Sequence, residues 1–108
     1  VTELVENRSA ASVPTALVTG QNFITIGAVQ ALHHLDLQDE VALVGFDDID
    51  LASVVEPGIT VMPQSPRELG QRAAHLLFTR LAGDTGPPVV DILHDEMIVR
   101  GSGEIAPG

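Results

Sequence analysis

A chain of 108 residues suffices for one domain with a modest core, and an apolar share of 44% with a mean hydropathy of +0.25 excludes a disordered polymer. Five basic residues stand against 15 acidic ones, a formal net charge of -10, which argues against direct contact with nucleic acid because that affinity rests mainly on cations neutralising phosphates. There is no cysteine, so disulfides and thiolate metal sites are excluded, and no apolar run reaches the roughly 18 residues that span a bilayer.

In chain order, Thr2 to Arg8 reads as a short helix capped by Thr2, and the small polar residues that follow lead to Pro14. Thr15 to Thr19 is an apolar run between Pro14 and Gly20, the pattern of a buried strand. From Phe23 to Leu35 the spacing becomes helical, with Asn22 as the expected cap. Phe23, Ile24, Gly27, Ala28, Ala31, Leu32 and Leu35 fall on one broad face, and Thr25, Gln30, His33 and His34 on the other. Ile26 and Val29 lie within that polar face, and two β-branched residues pointing outward together mark an expected contact surface.

Val41 to Phe46 is an unbroken aliphatic run closed by Gly-Phe, the pattern of a strand buried on both faces. It ends in Asp47, Asp48 and Asp50. Leu51 to Val55 reads as one or two helical turns stopped by Pro57-Gly58, and Ile59 to Met62 as a third short strand. Ser65-Pro66-Arg67-Glu68 has the form of a capping box with proline at the first helical position. The helix it predicts carries Leu69, Ala73, Leu76, Leu77 and Leu81 on its apolar face and stops at Gly83. These leucines need a partner surface, and self-association of the chain is expected to supply one. After a turn over Asp84 to Pro88, Val89 to Leu93 and Met97 to Val99 read as extended pieces.

Such alternation of strands and helices predicts an α/β fold, a parallel sheet flanked by helices in a three-layer α/β/α arrangement, with ligands at the carboxyl ends of the strands. Two of those ends carry polar clusters, Gln21-Asn22 and Asp47-Asp48, expected to face one crevice.

Strand-end carboxylates can hold a divalent cation, act as general bases or accept hydrogen bonds from ligand hydroxyls. Phosphoryl-transfer folds built around such acids also need a lysine, and the chain has none. His33 and His34 are adjacent in a helix and so point about 100° apart, unlike a metal-binding i, i+4 pair. No Walker motif, dinucleotide fingerprint or GxSxG elbow occurs. Ligand contact is the favoured reading of the aspartates, and no catalytic group, cofactor or metal is expected.

At VALVGFDDIDLASVVEPGIT the chain resembles the lactose/galactose repressor (LacI/GalR) family, whose effector domain has the periplasmic-binding-protein fold. Pro14 to Val18 resembles the strand before that family's Asn-Asp turn, and Ile26 to Leu32 the helix after it. Gln64, Glu68-Leu69-Gly70, Ala73-Ala74 and Leu76-Leu77 are similar to a later helix, and Met97 to Ser102 to the closing strand. The likeness covers nearly the whole chain, in order.

The resemblance implies the C-terminal portion of an effector domain. Residues 1–60 or so would belong to the C-terminal subdomain, residues 61–95 or so to the N-terminal one, and residues 96–108 to the return strand and tail. Val1 without a preceding methionine is likewise expected in a piece of a longer protein.

On the same grounds Asp47 is the expected effector contact, with Gln21 and Asn22 at the neighbouring turn, Phe46 packing that turn, and Ile26 at a subunit interface. Gln21 stands where the family usually has asparagine, which leaves the effector's identity open. The implied protein is a cytoplasmic repressor that binds a small polar metabolite, a sugar first, acts as a homodimer and reaches DNA only through a helix-turn-helix outside this chain. It needs no membrane. The alternative is a sugar-binding protein of an uptake system, and a third reading is an enzyme using the Asp47-Asp48 pair.

Overall fold

The computed structural model describes residues 14–108, and the expected helix at Thr2 to Arg8 lies outside them. The described residues fall into two compact units, one holding residues 14–63 and 96–108 and the other Gln64–Asp95.

In the first unit three parallel strands, β1 (Ala16–Thr19), β2 (Ala42–Phe46) and β3 (Thr60–Met62), lie side by side in that order. The register pairs Thr19 with Gly45 and Phe46 with Met62, so all three strands end at one edge. A parallel pair needs a crossover, and helix α1 (Asn22–His34) provides it between β1 and β2.

The face α1 buries differs from the expected one. Thr25, Ala28 and Leu32 are buried and Val29 packs against the core, a stripe at i, i+3, i+4 and i+7, while Phe23 and Ile24 remain 72% and 56% exposed. The helix is rotated because Thr25 is drawn inward by hydrogen bonds. Its hydroxyl lies 2.7 Å from that of Thr19, and Gln21 O accepts from Thr25 N and Oγ1 at 2.9 and 3.1 Å. Val29 is therefore not outward-facing, whereas Ile26 is 38% exposed.

The cap also moves by one residue. Gln21, with extended backbone, takes the N-cap place and Asn22 is the first helical residue, its Oδ1 accepting from Phe23 N at 2.8 Å.

The core gathers Ala28 and Leu32 from α1, Leu37 from the following loop, Val41 and Leu43 around β2, Ala52, and Ile59 and Val61 around β3. Gly45 faces Thr25 of α1, while Val44, one residue back and on the opposite face, meets Gly103 of the 3-10 turn Ser102–Glu104.

Of the two remaining expected elements of this unit, one is met and one is reduced. Leu51 to Val55 forms a single turn, with Leu51 O accepting from Val54 N and Val55 N at 2.8 and 3.1 Å. The closing strand is reduced to an isolated antiparallel bridge between Val61 and Ile98.

In the second unit, helix α2 (Pro66–Leu81) begins where its sequence signals placed it, with Pro66 in the first turn, and ends beside Gly83, whose φ of 109° suits a residue without a side chain. Ser65 occupies the N-cap, but its hydroxyl donates to Asp95 Oδ1 at 2.7 Å instead of closing a capping box. Glu68 accordingly pairs with Arg72, which also reaches Asp91 at 2.9 Å. No residue of α2 is buried, and Leu77, Phe78 and Leu81 are exposed. Val89 to Leu93 does not form a strand, because no neighbouring strand among the described residues offers it a ladder of backbone partners.

Candidate functional site at the carboxyl edge of the sheet

The common edge of the three strands carries the polar turns. Gln21 and Asn22 follow β1 after a single glycine, Asp47 follows β2 directly, and Pro63 follows β3. The register therefore brings Asp47 and the Gln21-Asn22 turn to the same edge, as open α/β sheets do at ligand crevices.

At each turn, backbone hydrogen bonds tie the chain down without using the Gln21 or Asp47 side chains. Gln21 is pinned through its carbonyl by Thr25, while its amide side chain is exposed. Thr19 Oγ1 reaches Val44 O at 3.4 Å as well as Thr25, tying the end of β1 to β2. Asp47 donates its backbone N–H to Met62 O at 2.9 Å and has a φ of 71°, the left-handed region that aspartate and asparagine tolerate better than most residues. Among the described residues nothing hydrogen-bonds its carboxylate. Phe46 is 41% exposed beside it.

Asp48 is arranged differently. Its Oδ1 accepts from Arg100 Nη1 at 2.8 Å and from Ile49 N at 2.9 Å, and its Oδ2 accepts from Arg100 Nη2 at 3.0 Å. The hydrogen bond from Arg100 holds the Asp48 carboxyl below the ordinary carboxylate range, and the same bond raises the guanidinium further above its own. Arg100 Nη1 also donates to Ile59 O at 3.1 Å. Both oxygens of Asp48 are thus engaged, so Asp47 and Asp48 do not form a free carboxylate pair of the kind acid–base or metal chemistry requires. Among the described residues no group of three or more potential metal ligands comes together.

Arg100 was not among the sequence candidates. A signal existed: it is the sole cation after Arg80 and stands in an otherwise apolar run at the end of an acidic chain.

A second polar knot docks the tail. Ser102 Oγ donates to Leu43 O at 2.6 Å and accepts from Thr60 N at 2.9 Å, with both residues buried. Thr60 Oγ1 accepts from Arg100 N at 3.0 Å and donates to the Glu104 carboxylate at 3.2 Å. The return segment is thereby fixed across β2 and β3 behind the polar edge.

A parallel α/β sheet with a left-handed aspartate and polar turns at its carboxyl edge defines part of a periplasmic-binding-protein-like lobe. Residues 2–103 match the family of periplasmic binding protein-like domains, and the chain belongs to that family, in the form carried by LacI-family transcriptional regulators.

It is 32% identical over 96 residues to the HTH-type transcriptional regulator MalR of Streptomyces coelicolor, covering 87% of this chain and 28% of that protein. It is 38% identical over 74 residues to the ribose operon repressor of Escherichia coli, covering 67% and 22% respectively. Among solved structures, a Corynebacterium glutamicum protein described as a LacI-family transcription repressor superposes with a TM-score of 0.76 at 28% identity, over 94% of this chain and 38% of that one. The chain thus spans about a quarter of the length of these two curated relatives. Those relatives are transcriptional regulators. Among the described residues no helix is long and apolar enough to cross a membrane.

Proposed function

We propose that this chain is the effector-sensing part of a LacI-type transcriptional repressor and that it binds a small polar metabolite, a sugar first, at the carboxyl edge of its sheet. Asp47 is the principal contact, with Gln21 and Asn22 beside it. The observation that carries the reading is the contrast between the two aspartates: Asp48 is consumed by Arg100, while the Asp47 carboxylate lies unbonded among the described residues at the ligand edge of the fold. A carboxylate suits a sugar because it can accept hydrogen bonds from two adjacent hydroxyls.

The unit Gln64–Asp95 is assigned to the other lobe of the intact domain, joined through the segments that leave after Pro63 and return at Glu96. Effector binding would alter closure of the two lobes and thereby the affinity of a helix-turn-helix domain for DNA. The regulatory relatives favour this reading over an uptake protein, and a cytoplasmic site of action and a homodimer belong to the same proposal.

The test is calorimetric titration of the full-length regulator with a panel of monosaccharides, beginning with D-ribose because a ribose operon repressor is among the relatives. Saturable binding of one sugar is expected. Asp47→Asn should weaken it by roughly 1 to 3 kcal/mol, the range for losing a charged hydrogen-bond partner. Unchanged affinity in that variant refutes the role of Asp47, and no binding across the panel refutes the sugar class.

A further inference from the structure

We infer that Arg100 is a positioning residue for the effector site: by holding both oxygens of Asp48 it fixes the turn that presents Asp47 in its left-handed conformation. The inference deepens the effector reading of Asp47 and rests on it for its functional consequence.

The turn from Asp47 to Leu51 needs an external restraint. Two of its residues, Asp47 and Leu51, have positive φ values of 71° and 64°, and neither is glycine, so the backbone there is less favourable than an ordinary turn and persists only where its surroundings over-determine it. Leu51 is exposed and cannot supply that restraint by packing. Within the turn the local bonds are few: Asp48 Oδ1 accepts from Ile49 N, and Ile49 O accepts from Ala52 N at 3.3 Å. From outside, the Asp47 N–H is bonded to Met62 O and Ile49 packs against the core, and the side-chain tie is the two-pronged grip of Arg100 on Asp48, whose planar fork fixes orientation as well as distance.

Arg100 is itself well anchored. It is less exposed than Asp48, with a side chain at 18% against 42%. Its Nη1 is held by Ile59 O and its backbone N–H by Thr60 Oγ1. Two residues earlier, Ile98 exchanges both backbone hydrogen bonds with Val61, at 2.8 and 3.1 Å. The guanidinium therefore connects the effector turn to the two chain segments that leave and re-enter this unit, which run through Val61 and Ile98. A displacement of those segments would be felt at Asp47 through one rigid ion pair.

The grip also explains why one aspartate of the pair is left for ligand. A carboxylate that accepts two guanidinium bonds and a backbone N–H has little capacity left for a sugar hydroxyl, whereas the neighbouring Asp47 carboxylate accepts no hydrogen bond among the described residues.

The test is amide hydrogen exchange by NMR on the 108-residue chain without any ligand, so that its result is independent of whether Asp47 touches an effector. In Arg100→Met the Asp47 amide, bonded to Met62 O, should exchange about tenfold faster or more, as expected when a local tie is lost, and its three-bond HN–Hα coupling should shift. The amides of Val41 and Ala42, bonded to Leu37 O and Thr15 O, should keep their wild-type rates. Asp48→Asn, which removes the charge at nearly constant size, should reproduce the selective effect and decides the matter if Arg100→Met fails to fold. The exchanged pair Asp48→Arg with Arg100→Asp should recover part of the protection. Unchanged exchange at Asp47 overturns the inference. Equal acceleration at Asp47, Val41 and Ala42 also overturns it, because Arg100 would then serve only overall stability.

Discussion

A β-carbon placed on Gly45 would stand 2.9 Å from both Cγ2 and Oγ1 of Thr25, so the middle of the sheet and the first turn of α1 touch where only a glycine fits. The contact sets how closely the helix lies on β2, and with it the position of the Gln21 turn that precedes the helix.

Gly45→Ala should therefore lower stability by about 1 to 3 kcal/mol, the usual cost of forcing an extra carbon into a close-packed contact. Denaturant unfolding checks it. Because the opposing atoms belong to a β-branched side chain already bonded to Thr19 and Gln21, little relaxation is available, and Gly45→Ala with Thr25→Ser should recover part of the loss by removing Cγ2.

Ser102→Ala should destabilise by about 1 to 3 kcal/mol, because it removes the partner of both Leu43 O and Thr60 N in a buried place. Wild-type stability in chemical denaturation would show that water reaches both groups.

The pair Asp48–Arg100 makes stability depend on acid. Its hydrogen bond lowers the Asp48 pKa in the folded state below the ordinary 3.8, so the stabilisation is fully present above that value and is lost as pH falls through the depressed one. Arg100 has its pKa raised and stays charged throughout this window, so the carboxylate alone sets the dependence. Thermal melts of wild type and Asp48→Asn should differ at neutral pH and converge as pH falls below 3.8. A difference that persists undiminished into strong acid would contradict this.

Ile26 and Val29 should part company. In the full-length regulator Ile26→Glu is expected to lower the oligomeric state in sedimentation without loss of helix content. Val29→Glu should instead reduce thermal stability, because Val29 packs against the core. A full-length wild type that sediments as a monomer rejects the interface reading of Ile26.

The apolar face of α2 predicts behaviour of the isolated chain. Burying each exposed large side chain is worth about 1.5 to 3 kcal/mol, and Leu77, Phe78 and Leu81 are all exposed on this helix. Light scattering should show association that grows with concentration, and replacing Leu77 and Leu81 by glutamine should abolish it. A monomer at every concentration refutes the expectation.

Much of the architecture was legible along the chain. The aliphatic runs before Gly20 and up to Phe46 announced β1 and β2, and Pro66 and Gly83 marked where α2 starts and stops, because apolar runs and the steric limits of proline and glycine act over a few neighbouring residues. The cluster after β2 and its place at the carboxyl edge of the sheet followed from the same local pattern.

Only the tertiary structure decided the rest. Thr25 turned inward, against its polar character, because Thr19, six positions before it and on another element, offered a hydroxyl at 2.7 Å. Asp47 and Asp48 are indistinguishable as neighbours in sequence, and they differ in bonding because an arginine 52 residues from Asp48 holds only that one. Met97 to Val99 shrank to a bridge, and Val89 to Leu93 found no strand partner among the described residues, since a strand exists only where another backbone completes its hydrogen bonds. Local propensity sees neighbours, whereas satisfying a buried hydroxyl, carboxylate or backbone amide depends on which distant residue the fold brings to it.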